Sequence, residues 1–362
     1  MRRALLVTFL FALIGATLPP RAHTAPYREV EVCFVLDTTG SMQSMIDAAK
    51  QKIWFIANEI VAAPSKPFAR FCVIGFRDRG DAYVTRRFDL TADLDAIYRE
   101  LLAFQADGGG DTPEAVNQAL FEAVELTRWS NAPEVLRVIF LVGDAPPQRY
   151  EGEPQYGEIA ALARRRGILI NPVLCGRDDE TRRTWRSIAG ASAGESAELG
   201  DTVAVMRVET PLDQDLASLS YRLGASLVPY GDDAARTRLL EAEATARTLD
   251  DAGSADRMAY KSRAAPGTAD LIDALDSGAL VPAAIERDKL PDGLRSMNES
   301  ELLTHLETVR SERAELKRVI AALVAEREAR IAELRRGKEG GFDTIVAGIV
   351  RRQLAGTDNR AD

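Results

Sequence analysis

The chain has 362 residues, 46% of them hydrophobic, enough for one large domain with a real core and a smaller region beside it. Its 46 basic and 55 acidic residues give a net charge of −9. That balance excludes a protein built to grip a phosphate backbone, so no nucleic-acid partner is expected, and three cysteines are too few for a disulfide scaffold.

Residues 1–25 read as a signal peptide. Arg2-Arg3 precede an apolar stretch from Ala4 to about Leu18, followed by Pro19-Pro20. The stretch falls short of the roughly 20 residues a membrane span needs. Export to a periplasmic or secreted destination is the expectation, with an uncleaved N-terminal anchor as the alternative. The latter stands because cleavage after Ala22 or Ala25 leaves Pro20 or His23 at the −3 position. No other segment is apolar and long enough to span a bilayer.

Strand-like and helix-like segments then alternate. Val30–Leu36 is a predicted strand, and Ser41–Val61 a helix with Met42, Met45, Ile46, Ile53, Ile56 and Ile60 near helical spacing. Phe71–Phe76 is a second strand and Tyr83–Leu90 a third, more polar, of edge character. Thr91 is placed as N-cap of a helix to about Phe104. After the loop Asp107–Asp111, Pro113 is expected to open a helix to about Trp129, with Thr112 as its cap. Val135–Val142 is the most strand-like run. Tyr156–Arg166, Glu180–Ala189 and Asp213–Leu227 are predicted helices, and Ile168–Leu174 and a segment within 196–208 the last strands. This alternation predicts an α/β fold with a doubly wound, mostly parallel sheet over 29–228. An additional α-helical C-terminal region follows: a linker with short helices over 232–297, a long charged helix over 298–337, and a C-terminal segment and tail over 338–362. In the long helix Leu302, Leu306, Val309, Leu316, Ile320 and Leu323 approach heptad spacing, interrupted by Arg313 and Arg327; it reads as a solvated helix with one packing stripe, with a coiled coil and oligomerisation through it as the alternative.

Three loops carry chemistry, each at the carboxyl end of a predicted strand or at a helix start, where open α/β sheets place ligands. Asp37, Thr39 and Ser41 alternate along the first. The second holds Gly108-Gly109-Gly110-Asp111-Thr112-Pro113-Glu114, and Asp144 follows the apolar strand. Hard oxygens from carboxylates and hydroxyls suit Mg²⁺, Mn²⁺ or Ca²⁺. Each residue also has a structural reading. Asp37 and Thr112 are good helix caps, and Glu114 would be favoured in a first helical turn by the helix dipole. It is the three loops together that favour a metal.

The Asp-x-Thr-x-Ser run of Asp37, Thr39 and Ser41, the Gly-rich loop and Asp144 resemble a von Willebrand factor type A domain with a metal-ion-dependent adhesion site. The resemblance covers roughly 29–228. It implies that these residues hold a divalent cation with one position open for an Asp or Glu of a protein partner. The middle loop is similar to that of integrin β-subunit domains, which implies Glu114 as its ligand; in the commoner version of the loop Thr112 would serve. Ser44 and Met45 stand where a flanking metal site would need acids. The resemblance also implies that the last helix of the domain, Asp213–Leu227, responds to metal engagement.

Catalytic groups are scarce. His23 leaves with the signal and His305 has no visible partner, so a Ser-His-Asp or Cys-His site lacks its base. The sequence reading is therefore a non-enzymatic, exported binding protein. A metal-dependent hydrolase and a structural domain with an empty site are the alternatives.

Overall fold

The computed structural model describes residues 27–109, 113–199, 208–264, 267, 269–336 and 341–356. The expected signal peptide lies outside them, and no described helix is long and apolar enough to cross a membrane.

Runs of Val, Ile, Leu and Phe with few charges favour strands buried on both faces. Four such segments, β1 (Glu29–Asp37), β2 (Phe68–Phe76), β4 (Val135–Gly143) and β5 (Ile168–Cys175), pair into one sheet with two more polar strands, β3 (Thr85–Thr91) and the short β6 (Ala197–Leu199). Their order is β3-β2-β1-β4-β5-β6, with β3 at the edge as its polar sequence predicts, and antiparallel to β2. The central strand β1 is parallel to both neighbours, Cys33 lying opposite Cys72 on one side and Ile139 on the other. Every residue of β4 is buried.

Helices cover both faces. One carries α3 (Val116–Phe121, continued by a π turn to Leu126), α4 (Tyr156–Arg165) and α5 (Asp179–Ser192) over Val35, Ile74, Ile139 and Leu141. The other carries α1 (Gln43–Val61) and α2 (Leu94–Ala103) over Val32, Phe34, Val138 and Phe140. Trp54 of α1 packs at a tilt against Tyr98 of α2, 5.8 Å between ring centres.

The predicted helix starts shift in two places. The cap of α2 is Asp93, whose side chain accepts from the Ala96 amide, while the Thr91 hydroxyl accepts from the Asp93 amide. Pro113 does not open a helix: α3 begins at Val116, and Glu114 sits in an isolated parallel bridge with Pro147.

The helical region holds a larger difference. Helix α6 (Asp213–Ala225), placed by sequence as the last helix of the α/β domain, packs instead on α8 (Asp251–Lys261) and on α11 (Glu299–Arg335), through Leu216, Leu219, Met258, Ile320 and Val324. Between these run α7 (Asp233–Ala246), α9 (Leu271–Asp276) and α10 (Asp292–Arg295). The helix beside α1 on the sheet is α12 (Phe342–Leu354), which buries Phe342, Val346, Ile349 and Val350 in the sheet's core. Lys52 and Arg335 pair with its Asp343, Arg351 pairs with Glu59, and Gln353 exchanges amide bonds with Asn171 in β5.

The stripe of α11 is covered by this chain's own helices, Leu302 and Leu306 by Leu271, Leu290 and Leu294, and Ile320 by Leu216 and Met258. It is not left open as a coiled-coil seam. Arg313 and Arg327 are its anchors rather than its interruptions. Both are 2% exposed; Arg313 pairs with Asp270 and Asp273, and Arg327 with Asp213 and Asp256.

Candidate metal centre

The parallel register brings two of the predicted ligands together. Leu36 of β1 lies opposite Val142 of β4, so Asp37 ends its strand beside Gly143. A Cβ on Gly143 would stand 3.3 Å from both Cβ and Oδ2 of Asp37. The close approach leaves little room for a side chain at 143 and sets Asp144, the next residue, against Asp37. The Asp144 amide and carboxylate both act on the Asp37 side chain.

Thr39 folds back on Asp37. Its amide donates to Asp37 Oδ1 at 2.9 Å and its hydroxyl to the same oxygen at 2.6 Å. Ser41 Oγ stands 3.4 Å from Thr39 Oγ1, on an exposed residue at the mouth. The second loop arrives through backbone bonds: Asp107 donates to the Thr38 carbonyl, and Gly40 to that of Gly108. Gly109 has φ +71°, and a Cβ there would lie 2.7 Å from Thr39 Cβ and 3.3 Å from Glu114 Oε1, so Thr39 and Glu114 flank one glycine. Glu114 is held by strand-like bonds, its amide donating to Pro146 and its carbonyl accepting from Gln148.

Asp37, Thr39, Ser41, Glu114 and Asp144 are thus gathered at one edge of the sheet. Thr112 and Asp111 lie outside the described residues.

Each of the two innermost carboxylates keeps one buried oxygen without a partner. Asp37 and Glu114 are 1% and 2% exposed, and Asp37 Oδ2 and Glu114 Oε2 have no hydrogen-bond donor. Burial raises the Asp37 pKa from 3.8 to about 7 against the opposing pull of Thr39, with the Asp144 charge adding to the rise. Burial also raises Glu114 from 4.5 to about 8, reinforced by Asp37, Asp78, Asp81 and Asp144. Buried anionic oxygens without donors are costly unless a cation or proton meets them. The donor set therefore fits a hard divalent ion. Among the described residues no three Asp, Glu, His or Cys side chains form a metal-holding group, so hydroxyls and water would have to complete the shell.

Asp78 and Asp81 were not singled out by sequence. They follow β2 at the same sheet edge, and the Asp81 carboxylate accepts from the amides of Asp78 and Gly109. Their position after a strand was a usable signal, but they lack the alternating hydroxyls of the first loop. Thr38, also passed over, donates its hydroxyl to the Phe76 carbonyl and fixes the first loop to β2.

A family model described as von Willebrand factor A domain matches residues 31–205. The chain contains a von Willebrand factor A domain. Among curated relatives, the rat von Willebrand factor A domain-containing protein 7 is 36% identical over 115 residues, 32% of this chain and 12% of that protein. Mouse Hemicentin-2 is 25% identical over 197 residues, 53% of this chain and 4% of that one. The chain thus spans a small part of the length of these relatives. Among solved structures, the mussel byssus proximal thread matrix protein 1, described with a zinc-occupied MIDAS motif, has a TM-score of 0.35. It is 18% identical, with 47% of this chain and 41% of that one covered.

Proposed function

We propose that the A domain of this chain is a cation-dependent binding module that takes an Asp or Glu side chain of a protein partner. Asp37, Thr39, Ser41, Glu114 and Asp144 would hold the ion, Mg²⁺ first among the candidates, with Mn²⁺ or Ca²⁺ as substitutes, and Thr112 is a further candidate ligand. The observation that carries the reading is the pair of buried, donor-less carboxylate oxygens on Asp37 and Glu114 beside the exposed Ser41 hydroxyl. When bound, the ion would supply a positive charge at a partly dry site, where an incoming carboxylate is worth more than in water. The residues of this chain would position that charge: Thr39 holds Asp37, and the Pro146–Gln148 bonds hold Glu114.

Binding rather than catalysis is favoured by the scarcity of histidine among the described residues. His305 lies on α11 of the helical region, not on the loops that carry the candidate ligands. Export to a periplasmic or secreted location, inferred from residues 1–25, belongs to the same reading.

The test is calorimetric titration of Mg²⁺ and Mn²⁺ into the purified chain, together with capture of host proteins in the presence and absence of chelator. One-to-one metal binding, lost in Asp37→Ala along with a set of captured proteins, is expected. Absence of metal affinity would leave the domain structural. Metal-dependent turnover of ester or phosphate substrates that disappears in Asp37→Ala would make it a hydrolase.

A further inference from the structure

Beside the candidate metal centre lies a hollow of about 220 Å³ between the segment after β4 and the first turns of α5. Pro146 and Pro147 form one wall, Tyr156 another, and Arg149, Arg183 and Glu180 bring charge to it. Its walls are tied directly to the metal residues. Pro146 and Gln148 bond the Glu114 backbone on either side, and the Thr181 hydroxyl, which donates to the Asp178 carboxylate at 2.6 Å, lies 3.4 Å from the Asp144 carbonyl. The hollow is therefore held in fixed relation to the ion site.

The two guanidinium groups stand out because neither makes an ion pair among the described residues, although the Arg183 charge is felt by Asp178 at the start of α5. Neighbouring arginines on this edge are paired: Arg77 with Asp107, Arg79 with Glu153, Arg182 with Asp179 and Glu198, and Arg186 with Glu198. Among the described residues Arg149 and Arg183 form no ion pair, and both are exposed. With Asp178 beside Arg183 outside the lining, the charged side chains that line the hollow, Arg149, Arg183 and Glu180, sum to one positive charge. One further carboxylate neutralises it, and guanidinium groups bind carboxylates with directed, charge-assisted bonds.

We propose that this hollow is a second subsite that receives another Asp or Glu of the same partner segment whose first acid sits at the ion. The recognised partner is then a doubly acidic peptide stretch. This proposal rests on the metal-dependent reading above and adds to it the chemistry of the partner.

The probes are N-acetylated, C-amidated peptides with two Glu residues separated by a ladder of glycine spacers. Controls carry Gln in place of either Glu. Each is titrated into the full chain with saturating Mg²⁺. At one spacer length or more, the diacid is expected to bind about tenfold more tightly than either monoacid, the gain typical of one added charge-assisted contact. Arg149→Gln with Arg183→Gln removes that gain and leaves Mg²⁺ affinity and monoacid binding unchanged, whereas Glu180→Gln increases it. A diacid no better than the monoacids at every spacer, or a gain that survives in the double arginine variant, overturns the subsite. Mg²⁺ titration separates the two readings. If the chain binds Mg²⁺ and monoacid but shows no gain, only the subsite fails. If it binds no Mg²⁺, the metal-dependent reading fails and the subsite with it.

Discussion

Magnesium should stabilise this protein strongly near pH 8 and weakly near pH 6. In the metal-free fold, burial holds Asp37 protonated up to about pH 7 and Glu114 up to about pH 8, against ordinary values of 3.8 and 4.5. The folded chain therefore carries more protons than the unfolded chain between those limits. Its metal-free stability from these two groups is fully present below the ordinary values and is lost as pH rises through 7 and 8. Each shift corresponds to roughly 4–5 kcal/mol held against ionisation. A divalent ion supplies the partner that the ionised oxygens lack, so its binding must expel those protons. Competition between the ion and two protons weakens apparent Mg²⁺ affinity by roughly 10²–10³-fold between about pH 8 and about pH 6. Thermal unfolding with and without Mg²⁺ at both values reads the stability side. Calorimetry in two buffers of different ionisation enthalpy counts the protons released. An equal Mg²⁺-induced rise in Tm at both values, or binding without proton release, would refute the reasoning.

Asp37→Asn keeps the shape and removes the buried charge; the variant should lose the Mg²⁺-dependent rise in Tm yet be more stable than the metal-free parent near pH 8. Gly109→Ala places a methyl group 2.7 Å from Thr39 Cβ at φ +71°; denaturant titration should show a loss of roughly 1–3 kcal/mol, with weaker Mg²⁺ binding by calorimetry. Arg327→Met strands Asp213 and Asp256 in the interior, and urea unfolding should register a cost of roughly 3–5 kcal/mol. Truncation before Phe342 uncovers the core sites filled by Phe342, Val346, Ile349 and Val350, each worth roughly 1.5–3 kcal/mol when buried. That chain should bind a hydrophobic dye and associate on gel filtration.

Much of the α/β half was legible in sequence because its signals are local. Val30–Leu36 and Val135–Val142 are apolar runs that can only be interior strands, and Asp37 and Asp144 follow them directly. The misplaced elements are those decided by distant contacts. Thr112-Pro113-Glu114 has the local chemistry of a helix start, yet pairing with Pro146–Gln148 draws Glu114 into a bridge and delays the helix to Val116. Arg313 and Arg327 looked like breaks in an apolar stripe because a periodicity count assigns charges to solvent. Their burial follows only once Asp270 and Asp213, from other helices, are brought alongside. The hollow at Arg149 and Arg183 had no sequence signal, since it depends on arginines that form no ion pair among the described residues once the chain is folded.

The position of α12 makes the helical region part of the domain's architecture. The sheet's last strand ends at Leu199, and the helix that covers the sheet beside α1 begins at Phe342. A free connection of about 140 residues would carry a sizeable closure entropy, growing as the logarithm of its length. Arg327 changes that length. It grips Asp213, soon after the last strand, and itself lies shortly before α12. With that contact made, the stretch left to close is about 30 residues, which lowers the closure term by about 1.4 kcal/mol. The contact with Asp256 holds α8 against the same point, and α8 in turn places Tyr260 beside Trp54 of α1, 5.8 Å between ring centres. The buried arginine therefore links the exit from the sheet to the helix that closes it. This gives a physical reason why an ion pair of this cost sits in the middle of an otherwise apolar stripe.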